Sequence, residues 1–126
     1  MNVPVIDHIA HVGLLVSDTQ RALDFYHGVL RLSQVERPDL GYPGAWLAVG
    51  AQQIHLMELP NPDPTEGRPA HGGRDRHIAL TVADLGDLEA ALKAADVSFT
   101  RSMSGRAALF CRDPDGNALE FVQLRR

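Results

Sequence analysis

One cysteine, Cys111, stands in 126 residues, so no disulfide can close within the chain and a reducing compartment is expected. Long apolar runs are missing too. No stretch approaches the roughly 20 residues needed to cross a bilayer. The start, Met-Asn-Val-Pro-Val-Ile-Asp-His, has no basic segment followed by an apolar run, so no secretory signal is read there. The expectation is a cytoplasmic protein with no membrane partner. Positive charge is also short: 12 Lys and Arg against 16 Asp and Glu leave a formal net charge of −4. A nucleic-acid binder neutralises phosphates with clustered cations, so nucleic acid is excluded as a partner. Hydrophobic residues at 44% and charged residues at 22% are ordinary globular proportions, which argues against disorder. The length fits one domain.

What is present is a repeat. His11-Val-Gly-Leu-Leu-Val-Ser-Asp18 returns as His77-Ile-Ala-Leu-Thr-Val-Ala-Asp84, an offset of 66 at both ends (77 − 11 and 84 − 18). Each copy leads into a helix-period segment, with Ala22, Phe25, Tyr26, Val29 and Leu30 in one and Leu85, Leu88, Leu92 and Ala95 in the other. Ser17 and Gln20 have capping-box spacing, and Asp18 or Asp84 can accept from the first free N–H groups. Strand-like runs follow at Ser33 to Arg37, Ala45 to Val49 and Gln53 to Leu59, then at Ser98 to Arg101, Ala107 to Arg112 and Ala118 to Leu124. Asp113-Pro-Asp-Gly-Asn117 reads as a tight turn. The fold class predicted is α+β, with two βαβββ modules forming a curved mixed sheet around a metal-containing cleft. Module 1 takes residues 5–60, a Pro- and Gly-rich connector 60–75, and module 2 residues 76–126.

The last strands align as well, Ile54-His-Leu-Met-Glu-Leu59 against Leu119-Glu-Phe-Val-Gln-Leu124, at an offset of 65. The repeat thus pairs His11 with His77, and His55 with Glu120. Candidate ligands fall at two equivalent positions in each half, and the set expected is His11, His55, His77 and Glu120 around one divalent cation (Ni, Zn, Co, Mn or Fe). Three imidazoles and one carboxylate leave a formal charge of about +1, which favours an anionic or chelating small molecule. His55 is the weakest member. Its rival Glu58 falls on the opposite face of the strand and matches Gln123 in the repeat. His8 reads as a surface position on the His11 strand, facing the other way; His27 and His71 read as solvated. Cys111 reads as a buried, inert thiol. The segment Arg101-Ser-Met-Ser-Gly-Arg106 is the candidate substrate loop, with Arg101, Ser104 and Arg106 as contacts.

These residues resemble a known family. His11-Val-Gly-Leu-Leu-Val-Ser-Asp, Phe25-Tyr26, His77-Ile-Ala-Leu-Thr-Val and Asp113-Pro-Asp-Gly-Asn-Ala-Leu-Glu120 look like the vicinal oxygen chelate superfamily, the group of glyoxalase I, bleomycin resistance proteins and extradiol dioxygenases. The resemblance implies paired βαβββ modules, a divalent metal bound by substrate through two neighbouring oxygens, and a homodimer. It further implies a glyoxalase-like lyase or isomerase in which Glu120 moves the proton. Glyoxalase I enzymes carry a carboxylate where His55 stands, and Arg and Asn at the places of Leu15 and Leu59, so glutathione is not the expected substrate. Fosfomycin-resistance transferases hold phosphonate with Lys and Tyr where Thr100 and Phe110 stand. Two alternatives remain open: an Fe(II) extradiol-type dioxygenase using His11, His77 and Glu120, and a resistance-type binding protein without catalysis.

Overall fold

The structure, a computed structural model, describes residues 2–124. The elements in chain order are β1 (His11–Val16), α1 (Thr19–Tyr26), β2 (Ser33–Val35), β3 (Gly44–Val49) and β4 (Gln52–Glu58). After a 3-10 turn at Gly72–Arg74 come β5 (His77–Val82), α2 (Leu85–Ala94), β6 (Phe99–Arg101), β7 (Ala108–Arg112) and β8 (Ala118–Gln123). Two mixed sheets result, one in the order β1-β4-β3-β2 and one in the order β5-β8-β7-β6. In each, the first and last strands of the module run parallel and the other pairs antiparallel. Both halves are therefore βαβββ modules, each with its first strand at a sheet edge.

The repeat extends to single hydrogen bonds. Asp18 caps α1 by accepting from the Arg21 N–H at 3.0 Å, and Asp84 caps α2 by accepting from the Asp87 N–H at 3.1 Å. These bonds satisfy donors that a helix start leaves free. The first residue of each helix is held from the last strand of its module. Thr19 N–H donates to Glu58 Oε1 and Leu85 N–H to Gln123 Oε1, both at 2.8 Å. The Ser17–Gln20 capping box does not form. Asp18 takes the cap, and Gln20 instead donates to Asp24 at 2.9 Å.

One apolar core spans both modules. Ala22, Phe25 and Tyr26 of α1 meet Ala45, Leu47, Ile54 and Leu56 of the first sheet, and Leu88 and Leu92 of α2 meet Leu109, Leu119 and Phe121 of the second. Leu47, Ile54 and Leu56 are essentially sealed, each contributing on the order of 1.5–3 kcal/mol by burial. Polar bonds join the modules at the β7–β8 turn. Tyr26 donates to Asp113 Oδ2 at 2.7 Å, Asn117 Nδ2 to the Leu15 carbonyl at 3.1 Å, and Ser17 N–H to Asp115 Oδ1 at 3.1 Å.

His8 does not lie on the His11 strand, because β1 begins at His11. The register pairs His11 with Gln53, and β4 starts at Gln52 after the Gly50 turn, so residues 2–9, among those described, have no strand partner. His8 is exposed beside Asp7. Among the described residues no helix is long and apolar enough to cross a membrane.

Candidate metal centre

Alternation along the paired strands gives each sheet one face toward its helix and one away from it. On the first sheet the residues away from α1 include His11 on β1, His55 on β4 and Trp46 on β3, with Gly13 and Trp46 both opposite His55 in register. Their rings form a stack. His11 lies 3.9 Å from His55 at an interplanar angle of 16°, and Trp46 covers the other face of His55 at 4.0 Å and 3°. His55 Nε2 meets Gln53 Oε1 at 2.8 Å. Burial above all, then His11 and Arg37, lower the pKa of His55 below the ordinary histidine value, so its ring is neutral at pH 7.

On the second sheet the corresponding face carries His77 on β5 and Glu120 on β8. Glu120 is 3% exposed, a carboxylate removed from water. His77 Nε2 stands 3.3 Å from Glu120 Oε1, and Arg106 Nη2 donates to Glu120 Oε2 at 2.9 Å. His77 Nδ1 lies 2.8 Å from the main-chain carbonyl of Asp75. A carbonyl only accepts, so Nδ1 carries a proton and donates to Asp75, and Nε2 is the nitrogen turned to the Glu120 side. Asp75 is itself clamped. Arg68 donates to it through Nε and Nη2, and Arg112 through Nη1, all at 2.8 Å. The Arg68 hydrogen bonds, ahead of the opposing effect of burial and the further bond from Arg112, hold the Asp75 carboxyl well below the usual carboxylate range.

The connector is seated on this same face. A Cβ on Gly72 would come within 3.3 Å of Phe110 Cβ and 3.4 Å of Ala118 Cβ, an approach that only glycine makes without displacing a neighbour. That seating brings in His71, which is not the solvated side chain the sequence suggested. Its Nδ1 lies 2.7 Å from Thr100 Oγ1, and its ring packs edge-on against Phe110 at 4.8 Å. His77 meets the same Phe110 ring at 5.2 Å. His27 is exposed, as expected, though its Nδ1 reaches the Leu32 carbonyl at 2.8 Å.

The four expected ligands thus lie in two pairs, His11 with His55 on one sheet and His77 with Glu120 on the other. Among the described residues no three His, Cys, Asp or Glu side chains come together in one chain. The second pair has the geometry of two adjacent ligands, since atoms bound at about 2.1 Å and separated by 90–109° lie roughly 3.0–3.4 Å apart. Of the substrate candidates, Arg106 reaches Glu120, and Ser104 Oγ accepts from Arg106 Nε at 3.2 Å. Arg101 departs from the expectation. It shares the helix-facing side of β6 with Phe99 and pairs with Glu89 on α2, because alternation gives the site-facing position to Thr100. A cleft of about 320 Å3 opens between the modules, with Leu15, Asp63, Asp75, Arg76 and His77 among its walls.

Sequence reasoning passed over Trp46, Gln53 and the Asp75 clamp, and took His71 for a solvated side chain. A signal for Trp46 existed: it faces His55 across β3–β4 as Phe110 faces Glu120 across β7–β8, so the repeat carries an aromatic ring beside both positions.

Residues 7–121 match the family model described as the Glyoxalase/Bleomycin resistance protein/Dioxygenase superfamily. Glyoxylase I 4 of Arabidopsis thaliana is 29% identical over 116 residues, covering 87% of this chain and 67% of that protein. Virulence protein STM3117 of Salmonella typhimurium is 31% identical over 130 residues, covering 94% and 85%. Among solved structures, a protein assigned to the glyoxalase family from Bacillus anthracis superposes with a TM-score of 0.82 at 20% identity, over 98% of this chain and all of that one. The fosfomycin resistance protein FosX of Listeria monocytogenes superposes with a TM-score of 0.75 at 16% identity in a variant complexed with Mn(II) and 1S,2S-dihydroxypropylphosphonic acid, over 96% and 95%.

Proposed function

The chain belongs to the Glyoxalase/Bleomycin resistance protein/Dioxygenase superfamily, and on that premise we propose that it is a glyoxalase-like metal-dependent lyase or isomerase of small α-oxygenated substrates. The observation that carries this reading is the His77–Glu120 pair: a buried carboxylate beside an imidazole whose Nδ1 is held by the Asp75 carbonyl and whose Nε2 faces it. His77 and Glu120 supply part of a ligand set. The remainder is on the first sheet of a second copy, so the working unit is a homodimer in which the open face of one sheet meets the open face of the other. Two incomplete sets on open faces, each beside an edge strand, support that assembly.

A divalent ion held by these residues would supply Lewis acidity, polarising a substrate carbonyl and acidifying the neighbouring carbon. The FosX complex with Mn(II) makes manganese a natural first ion to test. The chain's own residues do the rest. Glu120, displaced from the ion by the bidentate substrate, would accept the proton from that carbon and return it to the adjacent one. Arg106, bonded to Oε2, fixes the carboxylate and leaves a cation at the rim to meet an anionic substrate.

Metal content measured on protein purified without chelators, beside the His77→Ala variant, tests the centre. About one equivalent per chain, lost in the variant, is expected, and Glu120→Gln should lose turnover. Sedimentation velocity should show a dimer. A second reading has one specific support: His11, His77 and Glu120 make the two-histidine, one-carboxylate set of non-haem iron oxygenases. Iron in the purified protein, with oxygen uptake on a catechol, would place that reading first. Tight small-molecule binding that persists without metal would instead favour a non-catalytic binding protein.

A further inference from the structure

We propose that His55 is not a ligand of the cation but a positioning residue that holds the His11 imidazole in place, as the middle ring of the His11–His55–Trp46 stack. The inference rests on the metal-centre reading above and decides which side chain of the first sheet serves it.

The ring geometry carries the case. An imidazole lone pair lies in the plane of its ring, so an ion bound by two imidazoles must lie in both planes. The His11 and His55 planes are 3.9 Å apart at the ring centres and inclined by 16°. Planes so arranged meet only about 14 Å from the stack, whereas a bound ion sits ~3 Å from an imidazole centre. No single cation reaches both rings as they stand. His55 cannot tilt away from His11 to open the angle, because Trp46 is stacked on its opposite face at 4.0 Å and 3°.

Hydrogen bonding divides the two histidines in the same way. Gln53 Oε1 accepts from His55 Nε2 at 2.8 Å, which occupies that nitrogen and locks the ring in its plane. His11 is the exposed outer member of the stack, and among the described residues no side-chain hydrogen bond engages its ring. One imidazole is thus free to bind and the other is held on both faces and at one edge. A ligand preset in this way loses less rotamer freedom on binding than a mobile one. The site then takes three protein ligands, His11, His77 and Glu120, and leaves more positions for a bidentate substrate.

Phenylalanine separates the two roles, since it preserves a stacking ring and has no lone pair. Metal affinity is measured by competition with a chromophoric chelator, using Mn(II) and Zn(II), on the wild type and on His55→Phe, His55→Ala and His11→Ala. Emission of Trp46, the one tryptophan in the chain, reports whether the stack persists. His55→Phe should bind metal within about threefold of the wild type. His55→Ala and Trp46→Ala should bind about 10- to 100-fold more weakly, the range found when groups that orient a ligand are removed. His11→Ala should lose the ion. If His55→Phe loses metal as fully as His11→Ala, His55 is a ligand and the proposal is wrong. It is equally wrong if His55→Ala binds as well as the wild type. Undiminished binding by His11→Ala would instead overturn the metal-centre reading, and this inference with it.

Discussion

His77 donates its Nδ1 proton to the main-chain carbonyl of Asp75 across 2.8 Å, and the carboxylate of the same Asp75 is gripped by Arg68 and Arg112. A connector residue therefore sets which nitrogen of His77 is presented to Glu120. Releasing the clamp should loosen that choice without touching His77 or Glu120. The variant Arg112→Leu is expected to remain folded and to bind metal about tenfold more weakly. Nitrogen-15 NMR of the imidazole should show the Nδ1–H form in the wild type and a mixture of tautomers in the variant. An unchanged tautomer would refute the link between Asp75 and His77.

The same clamp makes a statement about acid stability. Asp75 titrates well below an ordinary carboxylate because Arg68, and then Arg112, hydrogen-bond its charged form. A carboxyl whose folded pKa is depressed stabilises the fold above its unfolded value, near 3.8, and that contribution fades as the pH falls below it. Urea unfolding of the wild type and of Asp75→Asn should therefore differ most above pH 5 and converge as the pH drops under about 4. A gap that widened in acid would contradict this assignment.

Asp113 behaves oppositely. Burial, outweighing its bonds from Asn117 and Tyr26, raises its pKa, so its charged form opposes folding, and stability should decline as the pH rises from 3.8 toward the folded value. Its partner Tyr26 is fully buried and donates to Oδ2 at 2.7 Å. Tyr26→Phe leaves a buried carboxylate short of a donor and should cost about 1–3 kcal/mol, read from denaturant midpoints. The bond joins α1 of one module to the β7–β8 turn of the other, so an unaffected midpoint would show that this junction contributes little.

The repeat made most of the fold legible. Glu58 and Gln123, matched in sequence, each accept from the first N–H of a helix at 2.8 Å, so equivalence in the chain became equivalence in space. Alternation likewise put His11 and His55 on one face of their sheet and His77 and Glu120 on one face of theirs. Equivalence is not proximity, however. The repeat says that His11 corresponds to His77 but not how the two sheets are disposed, and within one chain the pairs stay apart. Periodicity also assigns a face without a ring orientation, which is why the stack of His55 between His11 and Trp46 was invisible. The connector escaped for a different reason. Gly72-Gly73 reads as flexible chain, yet here it permits a close seat against Phe110 that carries His71 to Thr100.

Cys111 lies in β7 with its side chain in the core, 4% exposed, and burial pushes its thiol up to about 12. Both thiolate formation and access are suppressed, so alkylation at pH 8 should be negligible in the native protein and complete, at one thiol per chain, in denaturant. Intact-mass measurement over several hours distinguishes the two states. Rapid labelling of the native chain would mean that β7 opens locally far more often than its packing implies.

Two residues other than glycine stand in the left-handed region, Arg31 at φ 62° and Asp96 at φ 59°. They occupy equivalent places after the two helices, where Leu32 N–H returns to the Tyr26 carbonyl at 3.0 Å and Val97 N–H to the Leu92 carbonyl at 2.8 Å. Helices commonly close through such a residue, and glycine suits it best. For an L-residue the conformation costs roughly 1–2 kcal/mol, less for Asp, whose short polar side chain tolerates it. Glycine recovers that cost but brings back about 0.5–1 kcal/mol of chain entropy. Both side chains are exposed, so little contact is lost on truncation. Arg31→Gly should therefore stabilise the protein by about 0.5–1 kcal/mol, Asp96→Gly should be close to neutral, and Arg31→Ala should gain nothing, because alanine keeps the Cβ that causes the strain. Denaturant unfolding of the three variants checks the order. If Arg31→Ala stabilised as much as Arg31→Gly, the gain would come from removing the side chain, and backbone strain at Arg31 would not be its source.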